Sequence, residues 1–104
     1  MQQTSIVVTA LIRVKDRLTA QAQDELIGLV APTRAEPGCI AYDLYRSPDQ
    51  ESCFMFYECW RSRQDLDEHL RKPHIREFMK KADSFLAEPL RVSVWEKLTD
   101  DTKR

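Results

Sequence analysis

The chain has 104 residues and a net charge of −1, which is enough for one small domain with a single core and excludes a large multidomain protein. Charged residues make up 32% of the sequence with nearly balanced signs, so no basic surface indicates nucleic-acid binding. No apolar run reaches the roughly 20 residues of a bilayer span, and the start, MQQTSIVV, lacks a signal-peptide pattern, so a cytoplasmic protein is expected.

The first half of the chain predicts a strand, a helix and a second strand. β-branched residues dominate 5–14, and helical spacing of apolar residues then runs from about 17 to 33. Pro32 is expected to kink the last turns of this helix, and Glu36-Pro37-Gly38 to end it. Residues 39–47 alternate, with Ile40, Tyr42 and Leu44 predicted on one face.

The second half also predicts a strand, a helical region and a strand. A polar turn at 48–51 predicts a hairpin to a strand at 53–60, which is apolar on both faces. Ser62 is a predicted helix N-cap, and Pro73 is expected to break that helix and begin the next, whose apolar stripe spans 75–86. A last strand is predicted at 90–98.

The order β-α-β-β-α-β predicts an α+β, ferredoxin-like fold, an antiparallel sheet with its helices on one face. We expect one domain over 1–104, with a core at about 5–98 and a polar tail at 99–104. The three cysteines, Cys39, Cys53 and Cys59, lie on predicted strands without CxxC spacing, which fits buried thiols in a reducing compartment.

Two helices cover only one face of such a sheet. The other face would then expose Met55, Tyr57 and Cys59, with Tyr45 and Trp95 beside them. Because a monomer rarely leaves so large an apolar patch in water, the pattern predicts a homodimer joined through the helix-free face of the sheet.

Groups capable of chemistry concentrate between residues 54 and 78. Glu58 falls on the strand face that looks toward the helices, so burial is expected to raise its pKa unless it is paired. Trp60 shares that face, His69 and His74 follow on the helices, and Tyr42 lies on the neighbouring strand. An acid, two imidazoles and an indole beside one cavity predict a site for a small apolar molecule.

Structural roles remain open for each of these residues. Glu58 could pair with Arg61 or Arg63, and the imidazoles and the indole could be core groups. No metal is expected, because the two histidines are five residues apart across a proline and no third ligand has a recognisable spacing. No serine or cysteine lies in a nucleophile motif.

The segments EPGCIAYDLYRSP and FMFYECWRSRQDLDEHLRKPH resemble the antibiotic biosynthesis monooxygenase domain family over about 5–98. They are most similar to the branch with quinol monooxygenases and the isomerase of a phosphorylated autoinducer-2 signal. The resemblance implies a dimeric α/β barrel and a pocket between sheet and helices. It also implies no metal, flavin or haem: a deprotonated hydroxyaromatic substrate passes an electron directly to oxygen.

This sequence differs from two groups of family members, which narrows the activities that the resemblance implies. Anthrone-oxidising members carry an asparagine where this chain has Phe56, although Trp60 matches their tryptophan and Lys80 lies near their arginine. Haem-degrading members need an asparagine and a later histidine. This sequence has no asparagine and no histidine after His74, so haem degradation is disfavoured.

The leading hypothesis is a cofactor-independent monooxygenase of a small quinol or other hydroxyaromatic molecule. It assigns the base to His69 or His74 and gives Glu58 the task of orienting the imidazole or sharing its proton. The substrate walls are Tyr42, Phe56, Trp60 and Phe78. One alternative is an isomerase of a small keto or enol molecule, with Lys80 or Arg71 as candidate phosphate ligands, and another is a non-catalytic stress protein that binds a small ligand.

Overall fold

The computed structural model describes residues 5–99. The predictions for the first four residues and for the tail beyond 99 lie outside this range. The strands are β1 (Ile6–Arg13), β2 (Cys39–Arg46), β3 (Cys53–Trp60) and β4 (Arg91–Glu96). The helices are α1 (Thr19–Ile27), α2 (Val30–Arg34), α3 (Arg63–His69) and α4 (Pro73–Phe85), and a 3-10 turn at Asp16–Leu18 precedes α1.

The four strands form one antiparallel sheet in the order β2-β3-β1-β4. This confirms the predicted ferredoxin-like α+β fold. Alternation along β1 and β3 divides the sheet into two faces. The even-numbered side chains of both strands, from Ile6 to Ile12 and from Phe54 to Trp60, are buried beneath the helices. The odd-numbered ones, including Leu11 and Tyr57, lie on the helix-free face and are more exposed.

Each helical region is divided into two helices by proline. The break between α1 and α2 lies at Gly28 and Leu29, just upstream of Pro32, because proline cannot donate to the carbonyl four residues earlier and its ring crowds that carbonyl. Pro73 is the first residue of α4, as predicted. Ser62 caps α3 by accepting a hydrogen bond from the Asp65 backbone N–H at 3.2 Å.

One prediction about β2 is wrong. The pairing of β2 with β3 shifts register between Cys39 and Ala41, so Ile40 is an unpaired bulge residue. Ile40 is consequently exposed and does not share the buried face of Tyr42. The bulge follows directly on the Glu36-Pro37-Gly38 turn and adjusts how that turn enters the sheet.

The helices leave β4 uncovered. All six residues of β4 are exposed, although Val92 and Val94 pair with Ala10 and Val8 and therefore lie on the same face as the helices. The layer between sheet and helices is consequently open along this strand. Among residues 5–99, no helix combines the length and the apolar character needed to cross a bilayer.

Gly38 has a conformation that few other residues adopt. Its φ is +87°, and a Cβ added there would meet the Asp65 side chain at an impossibly short distance. We expect Gly38→Ala to lower the free energy of unfolding by about 2–3 kcal/mol. Gly28→Ala is the matched control, since Gly28 has helical φ and a Cβ there would touch only backbone oxygens at 3.4 Å. Urea unfolding should show a change within about 1 kcal/mol for the control, and equal effects of both changes would refute this account.

Candidate active site

A cavity of about 150 Å³ lies between the even-numbered face of the sheet and the helices. Its walls are mainly apolar, and the polar groups among its lining residues are Tyr42, Glu58, Arg63 and His69. Its apolar lining comes from the sheet, from the helices and from residues next to them: Val8, Ala10, Ile12, Leu29, Phe56, Leu66, Leu70, Ile75, Phe78, Met79, Leu90, Val92 and Val94. The exposed valines of β4 form its open side.

His69, the last residue of α3, is held by a carboxylate that the sequence interpretation did not assign to the site. Its Nδ1 lies 2.9 Å from Oε2 of Glu36, and both side chains are buried. With Glu36 as acceptor, Nδ1 carries the proton, which leaves Nε2 as the basic nitrogen of the neutral ring. Burial lowers the pKa of His69, and His74 lowers it further, while hydrogen bonding and charge of Glu36 oppose both effects.

His74, at the start of α4, reaches the same carboxylate oxygen. Its Nε2 lies 3.0 Å from Glu36 Oε2 and 3.0 Å from the Thr33 hydroxyl. The Thr33 side chain also hydrogen-bonds Tyr42, whose pKa is nevertheless raised by burial. A continuous polar network therefore runs from Tyr42 through Thr33 and His74 to Glu36 and His69.

Glu58 is a buried carboxyl group on β3 that lines the same cavity as His69. Its Oε1 accepts a hydrogen bond from the indole N–H of Trp60 at 3.0 Å, and among residues 5–99 no cation forms an ion pair with it. Burial raises its pKa from an ordinary 4.5 to about 7; the Trp60 hydrogen bond lowers it and the charge of Glu36 raises it. Near neutral pH this group therefore exists in both protonation states.

The structure brings most of the predicted site residues to one place. Glu58 and His69 line the cavity, together with the predicted walls Tyr42, Phe56 and Phe78. Tyr42 stacks on Phe56 with ring centroids 4.7 Å apart.

Two predicted residues lie behind the cavity wall. Trp60 is fully buried, with its ring centroid 4.6 Å from that of His69, and it is not a lining residue. His74 also lies outside the lining, and hydrogen bonds link it to two lining residues, to His69 through Glu36 and to Tyr42 through Thr33. The carboxylate that orients the imidazole is Glu36, whereas Glu58 is bonded to Trp60.

Glu36 and Arg63 are the residues that sequence reasoning missed. Glu36 had been interpreted only as part of a helix-ending turn, and the spacing of the histidines indicated no third group near them. An acidic residue next to a Pro-Gly turn, inside the segment that carries the family resemblance, was the available signal. Arg63 lines the cavity while lying 3.6 Å from Asp67.

Other candidate groups do not reach the cavity. Lys80 and Arg71, the suggested phosphate ligands, are exposed and lie within ion-pair distance of Glu77 and Glu68. Burial raises the pKa of the Cys39 thiol to about 11, so this thiol is protonated at neutral pH and is a poor nucleophile.

The ferredoxin-like domain thus holds an apolar cavity whose lining includes an imidazole bonded to a carboxylate and a carboxyl group with a raised pKa. The family model described as antibiotic biosynthesis monooxygenase matches residues 5–81. The chain therefore belongs to the antibiotic biosynthesis monooxygenase family.

Two relatives are similar to this chain over 66% or more of its length. A Synechocystis protein, sll1783, is 36% identical over 94 residues, which are 86% of this chain; the chain spans only 61% of that protein's length. A Mycobacterium tuberculosis protein named "Putative monooxygenase Rv0793" is 42% identical over 69 residues, 66% of this chain and 67% of the relative.

Solved structures show the same fold over nearly the whole chain. The crystal structure of PA3566 from Pseudomonas aeruginosa has a TM-score of 0.89 and 27% identity, covering 95% of this chain and 99% of the other. The structure of Rv0793 has a TM-score of 0.88 and 32% identity, covering 93% and 98%.

The raised pKa of Glu58 predicts a pH-dependent stability. Between pH 4.5 and about 7 the folded state holds a proton on Glu58 that the unfolded state has lost, so this group's contribution to stability falls as pH rises through that window. Glu58→Gln removes this effect. Urea unfolding should show the variant gaining up to about 3 kcal/mol over the parent protein between about pH 4.5 and 8. The exposed Glu68→Gln is the control, and a pH-independent difference for Glu58→Gln would contradict the assignment.

Proposed function

We propose that this protein is a cofactor-independent monooxygenase of a single-ring quinol. The observation that carries the proposal is His69, whose ring Glu36 fixes through Nδ1 at the wall of an apolar cavity. A neutral imidazole held in this way has one basic nitrogen, Nε2. The family membership supports an oxygenase rather than an unrelated acid–base enzyme.

The size of the cavity supports a one-ring substrate. A void of about 150 Å³ is comparable to one that accepts a single benzene ring. Phe56, Phe78 and the ring of Tyr42 supply flat apolar walls for such a molecule. A fused three-ring anthrone requires more space unless the open side along β4 is also used.

The first step is removal of a hydroxyl proton from the quinol by His69 Nε2. The resulting imidazolium is stabilised by the Glu36 carboxylate against Nδ1. The phenolate remains among apolar side chains, where it is poorly solvated and readily gives an electron to oxygen.

The second step joins the two radicals that this electron transfer creates. The phenoxyl radical and superoxide combine at a ring carbon, and the peroxide takes a proton and loses water as the ring carbon becomes a carbonyl. One quinol and one O₂ thus give one hydroxyquinone and one water. In this proposal the protonated form of Glu58 supplies that proton from Oε2, because the indole of Trp60 occupies Oε1.

Two substitutions test the roles of His69 and Glu36. His69→Asn keeps an amide N–H that can donate to Glu36 but removes the basic nitrogen, so kcat with a dihydroxybenzene panel should fall by roughly 10²–10⁴-fold. Glu36→Gln keeps the shape of the side chain and removes its charge, and kcat should fall by at least ~10-fold with little change in KM. Oxygen uptake and quinone absorbance in chelator-treated buffer measure both.

The matched control is Glu68→Gln, an exposed carboxylate beside His69 on α3. It should retain full turnover, and circular dichroism should show all variants folded. Full oxygen uptake by folded His69→Asn would exclude His69 as the base. No oxygen uptake by the parent protein with any quinol would exclude the oxygenase.

A second candidate is an isomerase of a small keto or enol molecule. The observation in its favour is that Glu58 and His69, an acid and a base, line one cavity with Arg63, a cation able to hold a phosphate. Such a reaction uses no oxygen. Proton exchange or rearrangement of a keto substrate under argon would favour the isomerase, and ligand binding without turnover would favour a binding protein.

We also propose that two copies pack through the helix-free face of the sheet. Large apolar side chains are exposed on that face: Leu11, Tyr45, Tyr57 and Trp95. A monomer rarely leaves so large an apolar patch in water. A second sheet packed face to face covers such a surface economically.

Leu11→Lys tests the interface. Leu11 is 47% exposed on the helix-free face, so a charge there should dissociate the dimer. Ile27→Lys is the matched control, because Ile27 is 52% exposed on α1. Light scattering after size-exclusion chromatography should give twice the chain mass for the parent and the control, and one chain mass for Leu11→Lys. A monomeric parent protein would refute the dimer.

A further inference from the structure

Three potential metal ligands converge beside the cavity from three separate segments. They are Oε2 of Glu36 on the turn after α2, Nδ1 of His69 at the end of α3 and Nε2 of His74 at the start of α4, and all three atoms lie within 4.8 Å of one another. The carboxylate oxygen is 2.9 Å from one nitrogen and 3.0 Å from the other. Glu36 and His69 are buried, and His74 is partly buried.

We propose that Glu36, His69 and His74 bind one divalent first-row transition-metal ion, with Zn²⁺ as the reference case. Donor atoms around a four-coordinate Zn²⁺ with bonds of about 2.0–2.1 Å are roughly 3.4 Å apart. The nitrogen–oxygen distances in this cluster are a few tenths of an ångström shorter, and the two nitrogens lie within 4.8 Å of each other, so the three side chains adjust their positions when the ion binds. Two histidines and one carboxylate leave a fourth position for water or for the nearby Thr33 hydroxyl.

The donor set selects the class of ion. Imidazole nitrogens with a carboxylate oxygen suit Zn²⁺, Fe²⁺, Ni²⁺ and Cu²⁺, whereas Mg²⁺ and Ca²⁺ require mostly oxygen ligands. An ion can enter past His74, whose side chain is 23% exposed, compared with 4% for His69 and 5% for Glu36. The cation also compensates a carboxylate that otherwise has only hydrogen bonds for its charge.

Metal binding and the present hydrogen bonds exclude each other. The Nδ1 atom that now donates to Glu36 must give up its proton to bind a metal, and in a neutral ring that proton moves to Nε2. Nε2 is then a hydrogen-bond donor and no longer a base. The metal therefore switches turnover off. This consequence rests on the proposed function, whereas the binding site itself does not depend on that function.

Calorimetric titration of the chelator-treated protein with ZnCl₂ tests the site directly. We expect one Zn²⁺ per chain with a Kd of about 1 µM or tighter, and no binding of MgCl₂. CoCl₂ should produce visible absorption bands of a nitrogen- and oxygen-ligated low-symmetry site. A Zn²⁺ affinity weaker than about 1 mM, or tight Mg²⁺ binding, would overturn the proposal.

Variants locate the site within the chain. His74→Ala and Glu36→Gln should each weaken Zn²⁺ binding by at least ~10-fold, whereas the control Cys39→Ser, which removes a thiol near Glu36, should bind Zn²⁺ like the parent protein. Unchanged affinity in both ligand variants, or loss of binding in Cys39→Ser, would place the metal elsewhere and refute the site.

The effect of the metal on turnover is a separate test. If quinol turnover is established, saturating Zn²⁺ should abolish it, and full turnover of the metal-bound protein would overturn the switch. If the protein has no turnover, the calorimetric test of the binding site still stands.

Discussion

One carboxylate oxygen that accepts hydrogen bonds from two imidazoles is the constraint on which this structure depends. Glu36 is buried, and a buried carboxylate without compensation costs several kcal/mol. His69 and His74 provide that compensation, and they come from two different helices. The interaction therefore ties the turn before β2 to the junction of α3 and α4, and Pro73 at that junction gives the two helices the directions that let both rings meet one atom.

The two faces of the sheet divide the remaining tasks. On the helix side, β3 contributes Glu58 among apolar neighbours, and burial there raises its pKa toward neutrality. The indole N–H of Trp60 donates a hydrogen bond to one oxygen of Glu58, which orients the carboxyl group without neutralising its charge. Since no helix covers β4, Val92 and Val94 remain as an open wall, and the cavity has access to solvent on that side.

The fold followed from periodicity, because alternation and helical spacing are local consequences of which side chains must be buried. The strand and helix order, the Ser62 cap and the start of α4 at Pro73 were all accessible in this way. Strand alternation also predicts that Glu58 lies on the buried face, where the structure has it. The bulge at Ile40 was not accessible, because it depends on how the preceding turn meets β3 rather than on the β2 pattern itself.

The sequence by itself determined the architecture and the identity of the chemical groups near the cavity: two histidines, an acid and an indole within one stretch of the chain. Only the tertiary structure decided how they are paired. Glu36 lies 33 residues before His69 and 38 before His74, and no local spacing relates residues so far apart. Their meeting depends on where α2 ends, how the turn at Gly38 packs on α3 and how Pro73 redirects the chain. These are long-range packing outcomes, and they assign the imidazole to Glu36 and the indole to Glu58.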